Sequence, residues 1–392
     1  MKILIKVFFC LTFFSCIFSS SLYAEPGVTD NQILVGMSTV LTGPASFLGT
    51  SFKTGSEAYL KSVNEAGGVN GRKIKLIAYD DGYEPGKAVP NVNKLINDDK
   101  VFCLLGNVGT PTTMAIKPVI TQEHVPLFAP FTGAAPFRNP VVKYILNYRA
   151  SYSQEVEEFI HGMVEVREHK KVAVFFQDDA YGRVVLEAVK TALAKRGLQP
   201  VATGMYKRNT DDIAEGLQAI ETAKPDAVVM VGTYAACGKF IIEGKKKGFN
   251  PVYMNVSFVG PDKLAEILGK YGEGAVVMSV VPPINTESAA AYPAVHEYIS
   301  SMKTFFPGTR PSLVGLEGYL ATRVFVEGIK RAGRNLTRES FIAAIEGIKD
   351  LDIGAGNKIT FSADNHQGSQ KVYPTLIRNG KFEIIKDWKV VK

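Results

Sequence analysis

Two acidic pairs, Asp80-Asp81 and Asp178-Asp179, are the residues of this 392-residue chain that most invite acid–base chemistry. Each ends an apolar run and precedes a glycine-containing turn, in AYDDGYEPG and FFQDDAYGR. Neighbouring side chains on an extended segment point to opposite sides, so neither pair converges on one reacting atom. Capping of the following helix, with negative charge at its positive end, accounts for both pairs better. The five histidines, His124, His161, His169, His296 and His366, are isolated and read as surface or capping groups. GxxxxGK[ST], HExxH, CxxC and GxSxG do not occur in the sequence. Gly354-Ala355-Gly356 lacks the third glycine and the helix of a dinucleotide loop. The expectation is a protein that is no enzyme, with no cofactor and no metal.

A different kind of chemistry is offered by LLGNVGTPTTMAI, Leu104 to Ile116. Val101 to Leu105 suits a strand buried on both faces of a parallel sheet, and helical periodicity begins near Thr112. Between them Asn107, Gly109, Thr110, Thr112 and Thr113 can present hydroxyls and backbone N–H groups to an anion at the helix N-terminus. Ordinary capping by Thr110 is the competing reading.

The elements that position these groups alternate regularly. Strands over Ile33–Val40, Lys73–Tyr79, Val101–Leu105 and Val125–Ala129 are separated by helices over Ser46–Ala66, Pro85–Asp98 and Thr112–Glu123. A second series opens at Val172 and runs through Val231, with a helix over Tyr234–Lys247 and a last strand ending at Val281. Repeated βα order predicts parallel sheets with helices on both faces. Long helices are expected over Ala289–Phe306 and Leu313–Ala332, then short β-like pieces at Lys358–Phe361, Lys371–Arg378 and Phe382–Trp388. If the long helices return to the first half and the tail to the second, the chain crosses between halves three times.

Lys2 and Lys6 precede an apolar run that ends in small residues before Glu25, the layout of a cleaved secretory signal over residues 1–24. Phe13-Phe14-Ser15-Cys16 is a poorer, lipoprotein-like alternative. With Cys10 and Cys16 in that segment, only Cys103 and Cys237 remain, which argues against a disulfide framework. A hydrophobic content of 46% supplies sizeable cores. The net charge of +7 is modest and scattered, with no interleaving of basic and aromatic residues, so nucleic acid is not an expected partner.

The stretch ILVGMSTVLTGPASFLGTSFKTGSEAYLKSVNEAGGVNGRKIKLIAYDDGYEPGKA resembles the extracellular solute-binding proteins of ABC transporters, of the leucine/isoleucine/valine-binding type. LTGP, NEAGGVNGRKI, the strand ending in DD and the later D-x-x-YG carry the likeness over nearly the whole mature chain. It implies an α/β, type I periplasmic binding protein fold: two doubly wound parallel-sheet lobes joined by three hinge crossings. Residues 25–147 and 280–350 would form one lobe, and 148–279 and 351–392 the other. The resemblance places a ligand carboxylate on Thr110 and on Thr132, Gly133 and Ala134, with Ser46 as a further donor. Tyr152, Tyr181 and Tyr234 would line the opposite wall. Relatives that bind amino acids carry an acidic residue where Ser257 stands here. A serine compensates a buried ammonium poorly, so the expected ligand lacks an α-amino group, and Phe258 beside it favours an apolar or aromatic body.

The function implied is capture of a small carboxylate or amino-acid-like ligand in the periplasm by hinge closure, and its delivery by a monomer to an ABC permease in the inner membrane. A ligand sensor or regulator built on the same fold is the alternative.

Overall fold

The computed structural model describes residues 25–391, so the signal-peptide and lipoprotein readings lie outside the described residues. In the first half, β1 (Gln32–Thr39), β2 (Lys73–Asp80), β3 (Cys103–Leu105), β4 (Leu127–Phe128) and β5 (Ile145–Leu146) form a parallel sheet in the order β2-β1-β3-β4-β5. The second half contains β6 (Val172–Gln177), β7 (Ala202–Tyr206), β8 (Ala227–Val231), β9 (Val252–Asn255) and β10 (Val276–Ser279). A small antiparallel pair, β11 (Leu351–Asp352) and β12 (Lys358–Ile359), precedes β13 (Tyr373–Arg378) and β14 (Lys381–Ile384). The second sheet runs β14-β13-β10-β9-β8-β6-β7, parallel except where β13 and β14 add an antiparallel edge.

Local sequence explains most of these boundaries. β6 and β8 are buried along their whole length, as continuous apolar runs covered on both faces must be. The helix Leu313–Ala332 lies against Ser46–Glu65, close enough that a Cβ on Gly55 would overlap the Gly315 backbone, and Ser56 donates to the Gly318 carbonyl at 3.3 Å. The expected single helix Ala289–Phe306 is two, Thr286–Ala291 and Pro293–Phe305. Pro293 is the cause: the residue before a proline is driven from the helical region, and Tyr292 is extended at φ −124°, ψ 100°. β4 is shorter than the expected Val125–Ala129, and β14 ends at Ile384, with Trp388 in a short 3-10 turn.

Three connections join the halves. The first runs from β5 to the helix Tyr152–Ile160, which packs on Ala180–Ala194 of the second half. The second leaves β10 through Val280–Pro283 for the helices that cover the first sheet. The third returns to β13, and it is tied to the first: Asn147 N donates to His366 O, and Gly368 N to Asn147 O, both at 2.8 Å. His366 is buried here, 2.9 Å from Glu346 and 3.1 Å from the Ile145 carbonyl, so it is an internal strut and not the surface or capping group expected.

Candidate functional site

At the end of β3 the chain turns into the helix Thr110–Gln122, whose N-cap is Gly109 with no side-chain cap. Thr110 therefore does not cap its helix. Its hydroxyl lies 2.7 Å from the Thr132 hydroxyl, which also accepts from Ala134 N at 3.2 Å. Gly133 O accepts from Tyr152 N at 2.8 Å, and a Cβ on Gly133 would stand 2.6 Å from that nitrogen. Only glycine permits the approach. All four residues, Thr110, Thr132, Gly133 and Ala134, are buried.

The acidic pairs behave differently from one another. Asp179 caps Ala180–Ala194, accepting from Tyr181 N at 2.9 Å, as expected. Asp80 and Asp81 cap no helix; Asp80 accepts from Leu41 N and Gly82 N, and Asp81 from Ser38 Oγ and Tyr83 N, which fixes the two turns. Burial pushes the Asp81 carboxyl up to about 6.

Aromatic rings from both halves meet over this floor. Phe258 lies 5.4 Å from Phe131 and 5.8 Å from Tyr83 of the first half, and 4.7 Å from Tyr181 of the second; Tyr181 is 5.4 Å from Tyr152. The hydroxyls of Tyr152 and Tyr181 are buried without a hydrogen-bond partner among the described residues. Burial raises both phenols, Tyr152 to about 12, so both remain protonated donors at neutral pH. Tyr234 makes a separate contact beside Ser46: Phe47 N donates to Tyr234 Oη at 3.3 Å, and the Phe47 and Tyr234 rings meet edge-on at 6.0 Å. At another edge Arg208 bonds Glu84 at 2.7 Å and Asp179 at 3.2 Å, while Asn209 reaches Gly82 O and Glu84. The two halves are thus apposed.

Ser257 is not the uncharged place the sequence suggests. Its N–H and hydroxyl both bond the Glu155 carboxylate at 2.7 Å, and Arg149 bonds Ser257 and, at 3.2 Å, Glu155. Glu317, from the long helix of the first half, is 3.6 Å from Arg149 Nε. Arg149 also lies over the rings of Phe131 and Tyr152, at 5.0 and 5.7 Å. Burial raises Glu155, partly offset by Arg149, and raises Glu317 to about 7. For Arg149 burial acts downward, but Glu317 and Glu155 outweigh it and the guanidinium stays charged. Sequence reading missed these three residues and Tyr83. A lone glutamate inside the apolar run LVGLEGYLA was the available signal for Glu317.

Two α/β halves meet here, with the Thr110 and Thr132 hydroxyls on one side and the phenols of Tyr152 and Tyr181 on the other. Residues 32–381 match the family model described as periplasmic binding protein, and the chain belongs to that family of non-enzymatic, solute-binding proteins. It is 24% identical over 345 residues, 88% of this chain and 89% of the relative, to Leu/Ile/Val-binding protein homolog 3 of Brucella melitensis. The crystal structure of a possible leucine/isoleucine/valine-binding protein from Rhodopirellula baltica is similar with a TM-score of 0.86 at 34% identity, over 92% of this chain and 98% of that one. A substrate-binding periplasmic protein from Ralstonia solanacearum gives a TM-score of 0.84 at 26% identity, over 90% and 99%. The chain is accordingly a periplasmic solute-binding protein of the leucine/isoleucine/valine-binding type.

Proposed function

We propose that this protein is the solute-binding component of an ABC importer, taking a small carboxylate or amino-acid-like ligand between its halves and carrying it, as a monomer, to an inner-membrane permease. Residues 25–147 with 280–350 act as one lobe, and 148–279 with 351–392 as the other. The observation that carries this reading is the convergence of the Thr110 and Thr132 hydroxyls with Tyr152, Tyr181 and Phe258, drawn from both halves into one buried layer. Ser46 and Tyr234 lie in a second contact between the halves, where Phe47 N donates to Tyr234 Oη.

The energetics are consistent. Hydroxyl donors pair with a carboxylate without an opposing buried charge, each charge-assisted bond contributing about 1.5–3 kcal/mol. A few of these with aromatic burial reach the roughly −8 kcal/mol of a micromolar complex. A ligand that touches both halves only when they are together stabilises that state by its differential affinity. The test is a thermal-shift screen over amino acids, aliphatic acids and aromatic acids. A rise in melting temperature confined to acids or amino acids supports the reading, and no response to any of them removes it.

A further inference from the structure

Glu84 N donates to Asp81 O at 2.9 Å and closes a turn whose two central residues, Gly82 and Tyr83, both have positive φ, 57° and 62°. Such turns use glycine, asparagine or aspartate at both places, because the left-handed region crowds a larger side chain against the backbone. A bulky aromatic there is an outlier, and strain of this kind persists only where the surroundings over-determine it. Three sets of contacts do so for Tyr83. The Asp81 carboxylate accepts from Tyr83 N and from Ser38 Oγ, both at 2.8 Å, which pins the turn to β1. The ring is seated on Gly109, one residue before Thr110, where a Cβ would overlap it. The hydroxyl accepts from Gln177 Nε2 of the second half at 3.2 Å, and Gln177 is itself held by Tyr206, which donates to it at 3.0 Å. The whole side chain is buried. Two different neighbours then meet its ring: Phe258 of the aromatic layer at 5.8 Å, and the guanidinium of Arg208, from the edge where Glu84 and Asp179 are bridged, at 5.9 Å.

We propose that Tyr83 is the end wall of the space between the halves and sets the length of ligand admitted there, so that the ligand is an acid or amino acid with a short body. This rests on the reading of the contact between the halves as the ligand site. With the acid group on Thr110 and Thr132, the body of the ligand is measured from that floor, and the ring beside Gly109 stops it short of the Arg208 edge. The turn alone does not call for a tyrosine, since asparagine satisfies the same backbone without strain. What the strain secures is a ring that cannot swing aside: its backbone is pinned at one end and its hydroxyl is tied across the halves at the other. Against a wall that does not yield, one methylene too many costs about tenfold or more in affinity, whereas a freely turning side chain would move out of the way.

The experiment is calorimetric titration of the wild type, Tyr83→Phe, Tyr83→Asn and Tyr83→His with two series: straight-chain acids from propanoate to decanoate, and straight-chain α-amino acids from alanine to 2-aminooctanoate. In at least one series wild-type affinity should rise with chain length and then drop by about tenfold or more at one added methylene. Tyr83→Phe keeps the ring and should keep that limit, weakening every member alike through the lost bond to Gln177. Tyr83→Asn suits the left-handed turn and removes the ring, and it should move the limit to longer chains by about two methylenes or more. Tyr83→His, with a smaller ring, should move it in the same direction by less. An unchanged limit in a Tyr83→Asn protein that melts cooperatively overturns the assignment; where Tyr83→Asn loses its melt, an unchanged limit in Tyr83→His overturns it instead. Wild-type affinity that climbs to the longest member of both series without a drop sinks the wall and leaves the site between the halves standing. Binding of no member of either series sinks the site itself.

Discussion

The hydroxyls of Thr110 and Thr132 lie 2.7 Å apart, two loops of one sheet joined by a single short contact. Each satisfies the other, and the pair forms the donor floor on which the proposed carboxylate rests. Thr110→Val leaves the Thr132 hydroxyl without that partner. It should weaken ligand binding about tenfold while lowering stability by only about 1 kcal/mol. Titration calorimetry beside a denaturant melt separates the two effects, and unchanged affinity would exclude Thr110 from the site.

At the rim the Arg208 guanidinium bonds a carboxylate of each half, Glu84 and Asp179. Both ends of the Glu84 pair are partly exposed, so that bond contributes about 0.2–1 kcal/mol. Arg208→Ala should therefore speed ligand release by about three- to fivefold and leave the association rate nearly unchanged. Stopped-flow displacement measures this. A release rate equal to that of the wild type would show that the bridge forms without holding the halves together.

Glu317 makes a prediction about stability. Its folded carboxyl titrates at about 7, above the ordinary carboxylate range, so the folded chain holds this proton more tightly than the unfolded chain does. Stability contributed by that proton is complete below the ordinary range and is withdrawn as pH rises towards 7 and slightly beyond. Asp81 and Asp262, both raised to about 6 by burial, act in the same direction. Without ligand, the melting temperature of the wild type should fall between pH 5 and pH 8, and Glu317→Gln should fall less and be the more stable at pH 8. A wild type that gains stability across that interval would contradict the sign.

Cys103 and Cys237 are both free and buried, and burial drives both thiols far above their usual range. A thiol held neutral and covered does not attack a disulfide reagent. Neither cysteine should react with an aromatic disulfide in the native protein, and both should react at once in denaturant. Rapid native labelling of either would mean that its strand or helix opens locally.

The βα alternation was legible because a buried parallel strand and an amphipathic helix have different apolar periods, and LTGP, NEAGGVNGRKI and DDAYG tied the alternation to one architecture. Thr110 could be named because it lies where a strand gives way to a helix, whereas Thr132, Gly133 and Ala134 were named through the family resemblance. Arg149, Glu155 and Glu317 could not, since they are brought together from a linker, a helix start and a long apolar helix, and no local pattern records a meeting across 168 positions of sequence, the span from Arg149 to Glu317. For the same reason the Ser257 loop could be read only by itself, whereas Ser257 bonds Glu155 and Arg149 from other elements. The break at Tyr292 was readable from Pro293 and was missed because apolar periodicity continues through it.

Asn147 exchanges backbone hydrogen bonds with His366 and Gly368, so two of the three tethers run as one ribbon. The remaining tether, Val280 to Pro283, ends in paired prolines. A joint made of one ribbon and one stiff strap resists shear and leaves a single rotation between the halves. If the halves open and shut as proposed, the path between the two states should be close to one-dimensional, and a single distance between one label on each half should suffice to follow it.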